Sequence, residues 1–271
     1  MYYFCNTQLL TRIPQYMKIT ILQTDIKWAC PYDNMDAAKA MIENAPQSEL
    51  YVLPEMWATG FAPTSPHEAC SDTPLEWMKR MAGQHKCAIC GSAAVKTGNE
   101  ACYNRHYFVL PDETYFYYDK HHLFTYGGEN RFYKAGNKRV IAQYKGIRFL
   151  LQTCYDLRFP AWTRNDEDYD AIIFTANWPE SRNRAWQILL RARAIENQCY
   201  VIGANRIGCD PLCSYAGNSA IIAADGKTLA QAKGREAQCV TADIDIEELQ
   251  KFRTKFPVLK DRDTIKLNEP E

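Results

Sequence analysis

The chain has 271 residues, 46% of them hydrophobic and 24% charged, the make-up of a soluble globular protein with a sizeable core. Lys plus Arg equals Asp plus Glu at 32 each, so no overall charge points toward nucleic acid or an anionic membrane surface. The longest apolar runs, such as 171–176, fall far short of the roughly 20 residues that cross a bilayer, so no membrane partner is expected.

Residues 1–16 have no clear period and lack both the apolar stretch and the cleavage site of a secretory leader; they read as an extension of unclear status. A strand is predicted at 17–23. A helix follows at 33–44, with Ala37, Ala38, Met41 and Ile42 on one face and Asp33 or Asn34 as its cap. A second strand, 49–53, ends at Pro54. The next helix, 73–85, opens on Pro74 and closes near Gly83. Three β-rich segments follow at 87–96, 103–110 and 114–118, joined by turns at 97–99 and 111–112.

Residues 120–137 read as a loop with three glycines. Strands are expected at 139–144 and 147–152, a short helix at 161–166 and a buried strand at 171–175. The strongest helical period spans 182–197, through Ala185, Trp186, Leu189, Ala192 and Ile195. Strands at 200–205, 218–223 and 238–244 and a helix at 246–251 complete the pattern, ahead of a polar tail at 258–271. Strand–helix alternation combined with hairpins predicts α/β layers with a mixed sheet, in one domain from 17 to 257.

Eleven cysteines invite a disulfide or metal reading. Several lie in apolar runs, where a reduced thiol packs as a small hydrophobe. Their odd number and the missing leader suit a reducing cytoplasm. Cys87 and Cys90 form a C-x-x-C pair, but no second pair at zinc-site spacing accompanies them, and no metal is expected.

Three strand ends carry groups with chemical potential. Cys154 in CYDLRFP directly follows the apolar run IRFLLQT, where a thiol can face a pocket beside free backbone N–H groups. Glu55 in LPEMWATGF follows a strand that Pro54 stops, flanked by Trp57 and Phe61; apolar surroundings raise a carboxyl pKa toward general-base duty. Lys120 leaves a third strand end, with Glu129 in the loop beyond it. Adjacent His121 and His122 tempt a metal reading, but neighbours on a strand point to opposite faces, which makes shared ligation awkward.

Taken in order, Glu55, Lys120 and Cys154 resemble the catalytic set of the nitrilase superfamily of carbon–nitrogen hydrolases, with a similarity running from 17 to about 257. The segments DKHHLF, YKAGNKRV, CYDLRFP, ANWPESRNRAWQILLRARAIENQ and NRIG resemble its omega-amidase (2-oxoglutaramate amidase) branch of the bacterial YafV type. The resemblance implies a four-layer α-β-β-α sandwich, commonly a homodimer paired through outer helices. It implies Glu55 as general base, Lys120 as oxyanion stabiliser, Cys154 as nucleophile and Glu129 as a second glutamate close to them. The Tyr155 backbone N–H would share the oxyanion, and a thioester would form on Cys154 with no metal or organic cofactor.

Arg158 is offered by the same turn as Cys154, and its fork suits a substrate carboxylate, although a structural salt bridge is the plain alternative. That favours a small amide with a free acid at its far end, such as 2-oxoglutaramate or 2-oxosuccinamate. Phe124 and Trp178 are candidate apolar walls or else core; Tyr126, Asn177 and Arg182 receive no firm assignment. The rival readings are a nitrilase, a carbamoylase or an aliphatic amidase with the same residues, a non-catalytic binding protein, and a redox thiol protein using Cys87 and Cys90.

Overall fold

A computed structural model describes residues 16–61, 71–98 and 101–265. Expectations for residues 1–15, the turn residue Asn99 and the tail beyond 265 lie outside them.

Strands β1 (Tyr16–Gln23), β2 (Leu50–Val52), β3 (Ala88–Lys96), β4 (Cys102–Val109), β5 (Tyr115–Asp119) and β14 (Gln238–Asp245) make one sheet, in the order β14-β1-β2-β3-β4-β5. Strands β6 (Ile141–Tyr144), β7 (Ile147–Thr153), β8 (Ala171–Ala176), β9 (Tyr200–Asn205), β12 (Ala220–Ile222) and β13 (Thr228–Gln231) make the second, in the order β13-β12-β9-β8-β7-β6. A small hairpin, β10 (Ile207–Cys209) with β11 (Ser214–Ala216), stands apart from both. Parallel pairs β1–β2, β2–β3, β7–β8 and β8–β9 lie at the centres, with antiparallel strands outside them, so both sheets are mixed as expected.

Side chains alternate across each strand and thereby build three apolar layers. Ile19 and Ile21 of β1, Leu151 of β7 and Ile173 of β8 meet between the sheets, together with Phe108 and Phe149. On the outer face of the first sheet, Leu22, Leu53 and Ile89 pack against helices α1 (Pro31–Asn44) and α2 (Thr73–His85). On the outer face of the second, Leu150, Ile172 and Val201 pack against α4 (Asn183–Asn197). The order is helix, sheet, sheet, helix. The remaining helices are the short α3 (Pro160–Thr163) and α5 (Ile246–Lys255), capped by the Asp245 carboxylate. No helix among the described residues is long and apolar enough to cross a membrane.

Several details depart from the sequence expectations. Helix α1 begins on Pro31, and Asn34 is no cap: it is buried, its amide bonded to Lys27 N and O and to Ala58 O. Met35 is buried in place of Ala37, which is exposed. Gly83 lies inside α2, and Lys86, at φ 52°, ends it. The buried stripe of α4 runs through Trp186, Leu190, Arg193, Ala194 and Asn197, leaving Ile195 50% exposed. Apolar spacing misplaced that face because Arg193 and Asn197 are buried through hydrogen bonds to the Leu157 carbonyl and the Asn165 amide. The 161–166 helix is only the four residues of α3. Strands β10, β11 and β13 were missed, being three or four residues long and too short to show alternation. In the tail, Val258–Asp261 form a 3-10 turn with Leu259 buried.

Candidate active site

Both sheets present carboxyl ends at the same edge, and there the inter-sheet layer changes from apolar to polar. Asn104 and His106 of β4, Thr153 of β7 and Thr175 of β8 are fully buried, continuing the inward rows of Phe108, Leu151 and Ile173. Four turns at this edge carry the predicted groups. Glu55 lies three residues past β2; its neighbour Met56 turns sharply at φ 47°, with its N–H held by Ser92 Oγ at 3.0 Å. Lys120 is the first residue after β5, its N–H donating to the Asn104 carbonyl at 3.0 Å. Glu129 opens the 3-10 turn Glu129–Arg131. Cys154 follows β7 at φ 46°, a left-handed conformation that costs a side chain with a Cβ about 1–2 kcal/mol. Strain of this kind concentrates at functional turns.

These turns bring Glu55, Lys120, Glu129 and Cys154 together. The Lys120 ammonium donates to Glu55 Oε1 at 2.9 Å and to Glu129 Oε1 and Oε2 at 3.0 and 2.8 Å. Asn104 Nδ2 bridges the two acids, at 2.7 Å to Glu55 and 3.1 Å to Glu129. Glu55 Oε2 accepts from the backbone N–H of Asn177 at 2.9 Å, and Glu129 Oε2 from that of Phe124 at 2.6 Å. The Cys154 thiol is buried close enough to Glu55 and Lys120 for both charges to act on it.

The electrostatics follow from burial. Desolvation holds the Glu55 carboxyl above its ordinary range, against the pull of Lys120. Burial alone would push Lys120 down, but Glu129 and Glu55 outweigh it and keep the ammonium charged. Burial also pushes the Cys154 thiol well up, the Glu55 charge adds to this, and Lys120 opposes it. Burial therefore favours the protonated thiol at rest, beside a carboxyl group whose charge Lys120 favours. Such a pair can pass a proton to the acid as sulfur attacks an electrophile.

The turn carrying Cys154 is pinned to the turn carrying Lys120. Fully buried Asp156 accepts from Thr153 N (2.9 Å), Tyr118 Oη (2.8 Å), His122 N (2.9 Å) and His122 Nδ1 (2.8 Å). Both histidines are thereby committed to the scaffold: His121 stacks on Trp162 and contacts the Gly136 carbonyl through Nδ1, and His122 stacks on Phe159. Their rings meet edge to face at 4.5 Å instead of pointing to opposite faces, because they lie past the strand end. Among the described residues, no group of three or more His, Cys, Asp or Glu side chains could hold a metal ion.

Around Cys154 lie the other predicted residues. Tyr155 occupies the second position of the 3-10 turn Cys154–Arg158, and the first amides of a helical turn have no acceptor within it. Its ring is 5.1 Å from that of Phe124. The Arg158 guanidinium lies 5.0 Å from the Trp178 ring, and that of Arg182 lies 5.1 Å from Phe124. Among the described residues neither guanidinium has a carboxylate partner, so the salt-bridge alternative for Arg158 finds no support. Phe124 is half-buried; Trp178 is buried in the second outer apolar layer, its indole N–H on the Arg182 carbonyl and its ring against Trp186.

Other expectations are not met. Trp57 turns away from Glu55 into the outer layer, 4.8 Å from Trp77, whereas Phe61 does face the site, 5.8 Å from the Lys120 ammonium. Cys87 packs in the outer layer and Cys90 between the sheets, with burial raising both thiols (Cys87 to about 12), so the pair cannot act as a dithiol. Two residues central to the geometry had no predicted role. Asn104 carried a usable signal, a polar residue in register with the inward row of β4, and Asp156 stood inside CYDLRFP.

The carbon–nitrogen hydrolase family model matches residues 18–254. The protein named omega-amidase YafV in Yersinia enterocolitica is 42% identical over 93% of this chain and 98% of its own length. The 2-oxoglutaramate amidase of Bacillus subtilis is 35% identical over 90% of this chain and 96% of its own. A CN-hydrolase superfamily protein of Xanthomonas campestris, crystallised with an arsenic adduct in its active site, superposes with a TM-score of 0.89 at 37% identity, covering 93% of this chain and 99% of that one. The four-layer sandwich, the turns at its polar edge and this likeness along nearly the whole chain agree: the protein belongs to the carbon–nitrogen hydrolase family of the nitrilase superfamily.

Proposed function

We propose that the protein is an omega-amidase, hydrolysing the terminal amide of small omega-amido 2-oxo acids such as 2-oxoglutaramate and 2-oxosuccinamate. Cys154 is the nucleophile, Glu55 the base, and Lys120 with the Tyr155 N–H the oxyanion site. Glu55 takes the thiol proton as sulfur bonds to the amide carbon. The carbonyl oxygen gains negative charge against the Lys120 ammonium, a term worth about 2.7–4 kcal/mol of barrier per donor. Glu55 returns the proton to nitrogen, ammonia leaves, and a thioester remains on Cys154. Water then gives its proton to Glu55 and its oxygen to the acyl carbon, and the thiol is regenerated as the carboxylate departs. Glu129 holds Lys120 in line throughout. The steps use these side chains alone and call on no cofactor.

The observation that carries the substrate is Arg158, a guanidinium on the nucleophile's own turn with no carboxylate among the described residues against it. It is suited to the free carboxylate of the oxo acid, with Phe124 and Trp178 as walls beside the chain. Relatives named omega-amidase and 2-oxoglutaramate amidase support the same choice. A cytoplasmic homodimer completes the reading. Ile188 and Ile195, 55% and 50% exposed on the outer face of α4, favour pairing through that helix, which sedimentation would report.

Ammonia release from 2-oxoglutaramate, glutamine, a simple nitrile and an N-carbamoyl amino acid tests the substrate. The oxo-acid amide should lead by kcat/KM. Equal or better turnover of any other member of the panel would sink the assignment and return the nitrilase, carbamoylase or broad amidase reading. Thiol labelling tests the nucleophile: Cys154 should react ahead of the other cysteines.

A further inference from the structure

We propose that the side-chain amide of Asn177 binds the scissile carboxamide, its carbonyl oxygen accepting a hydrogen bond from the leaving –NH2. The inference rests on the amidase reading above and assigns a residue to the nitrogen side of the reaction, for which that reading names only Glu55.

Asn177 follows β8 directly and is 6% exposed. Its backbone is fixed on the catalytic side, since its N–H donates to Glu55 Oε2 at 2.9 Å. The next amide, Trp178 N, donates to Asn205 Oδ1 at 2.8 Å. Yet Nδ2 and Oδ1 of the Asn177 side chain are both buried without a hydrogen-bond partner among the described residues. Other buried asparagines differ: Asn205 is bonded at both ends, and Asn104 and Asn165 leave only the oxygen open. Exchanging the two atoms of the Asn177 amide changes nothing, as both are open. A buried amide with neither end satisfied is costly, so a partner from outside the protein is expected.

The chemistry of the substrate selects that partner. An omega-amido 2-oxo acid carries a ketone and a carboxylate, which only accept, and one carboxamide, which alone has N–H to donate. The Asn177 oxygen can therefore be satisfied by the substrate only at the amide nitrogen. That nitrogen must also face Glu55, which protonates it, and Asn177 is bonded to Glu55 through its own backbone. Holding one N–H on Asn177 turns the nitrogen lone pair toward the acid. In the product a carboxylate oxygen replaces –NH2 and faces the Asn177 oxygen without a proton between them, which favours release. An ester or nitrile has no N–H and gains nothing from this oxygen.

The test compares wild type with Asn177→Leu on a matched pair, a primary amide and the methyl ester of the same acid. We expect kcat/KM to fall on the order of 10²-fold for the amide and by less than about threefold for the ester. Cys154 should keep its wild-type rate with methyl methanethiosulfonate, a small reagent without N–H, as a check that Glu55 stays in place. If Asn177→Leu does not fold, Asn177→Ala is read the same way. Equal losses on amide and ester would make Asn177 scaffold only, and no loss on the amide would show that it does not touch the nitrogen; either overturns the proposal. If wild type shows no preference for 2-oxoglutaramate, the substrate assignment fails, while the amide-to-ester ratio on any amide that is turned over still judges Asn177.

Discussion

The buried charge cluster and the mouth above it treat polar groups in opposite ways. In the cluster, each carboxylate oxygen of Glu55 and Glu129 and the Lys120 ammonium end on another group of the protein. At the mouth, the guanidiniums of Arg158 and Arg182 rest on aromatic faces, and the Asn177 side-chain amide has no hydrogen-bond partner among the described residues. Charges that must be in place before the substrate arrives are neutralised internally, because unpaired burial is costly. The groups that the proposed function assigns to substrate recognition keep their bonding capacity open.

The largest expected effect comes from breaking the closed half. Lys120→Met leaves two buried carboxylates facing each other without their common cation. Activity should fall about 10²–10³-fold, and stability by about 3–5 kcal/mol, read from steady-state kinetics and urea melts. Adding Glu129→Gln removes one of the stranded charges. The double variant should regain much of the stability and none of the activity. If both recover together, Lys120 serves only to neutralise the acids and not to bind an oxyanion.

The closed half was also the more legible in sequence. Glu55, Lys120 and Cys154 each stand at the end of a β-rich run, and strand ends are readable from alternation and from Pro54. Sequence did not give the cement between them. Asn104 and Asp156 act through contacts spanning 49 and 38 residues, which no local pattern contains. The outer helix α4 was found but its face was rotated, since buried Arg193 and Asn197 look like surface residues until their partners are known. At the mouth the difficulty is reversed. Among the described residues, Arg158 and Arg182 are conspicuous by having no carboxylate and the Asn177 side chain by having no hydrogen-bond partner, and a missing contact is visible only in three dimensions.

A second test reaches the polar layer behind the cluster. His106 is fully buried, with Nδ1 3.1 Å from the Gln152 carbonyl, and burial lowers its pKa from 6.5 to about 4. The folded protein therefore keeps it neutral, while the unfolded chain takes up a proton below pH 6.5. Stability is at its full value above that pH and is lost progressively as pH falls toward 4, by about 3 kcal/mol from this residue. Urea midpoints between pH 7 and 4.5 should fall more steeply for wild type than for His106→Gln. Parallel curves would mean that water or rearrangement solvates His106 and that the layer is not sealed.

The smallest expected effect probes the open half through binding alone. A hydrogen-bonded charge pair contributes about 1.5–3 kcal/mol, so Arg158→Gln should raise KM for 2-oxoglutaramate by about 10- to 100-fold. The kcat should move by less than about threefold, because the carboxylate lies away from the reacting carbon and is held equally in ground and transition states. An uncharged amide such as butyramide should be indifferent to the substitution. Arg182→Gln should raise KM by only about two- to fivefold, since its guanidinium lies against the Phe124 ring and is not on the nucleophile's turn, so that it contributes a field more than a fork. If Arg182→Gln proves the costlier of the two, the carboxylate is held on the Phe124 side and Arg158 is the bystander. The division between closed cluster and open mouth survives that exchange; it fails only if neither arginine affects the charged amide more than the neutral one.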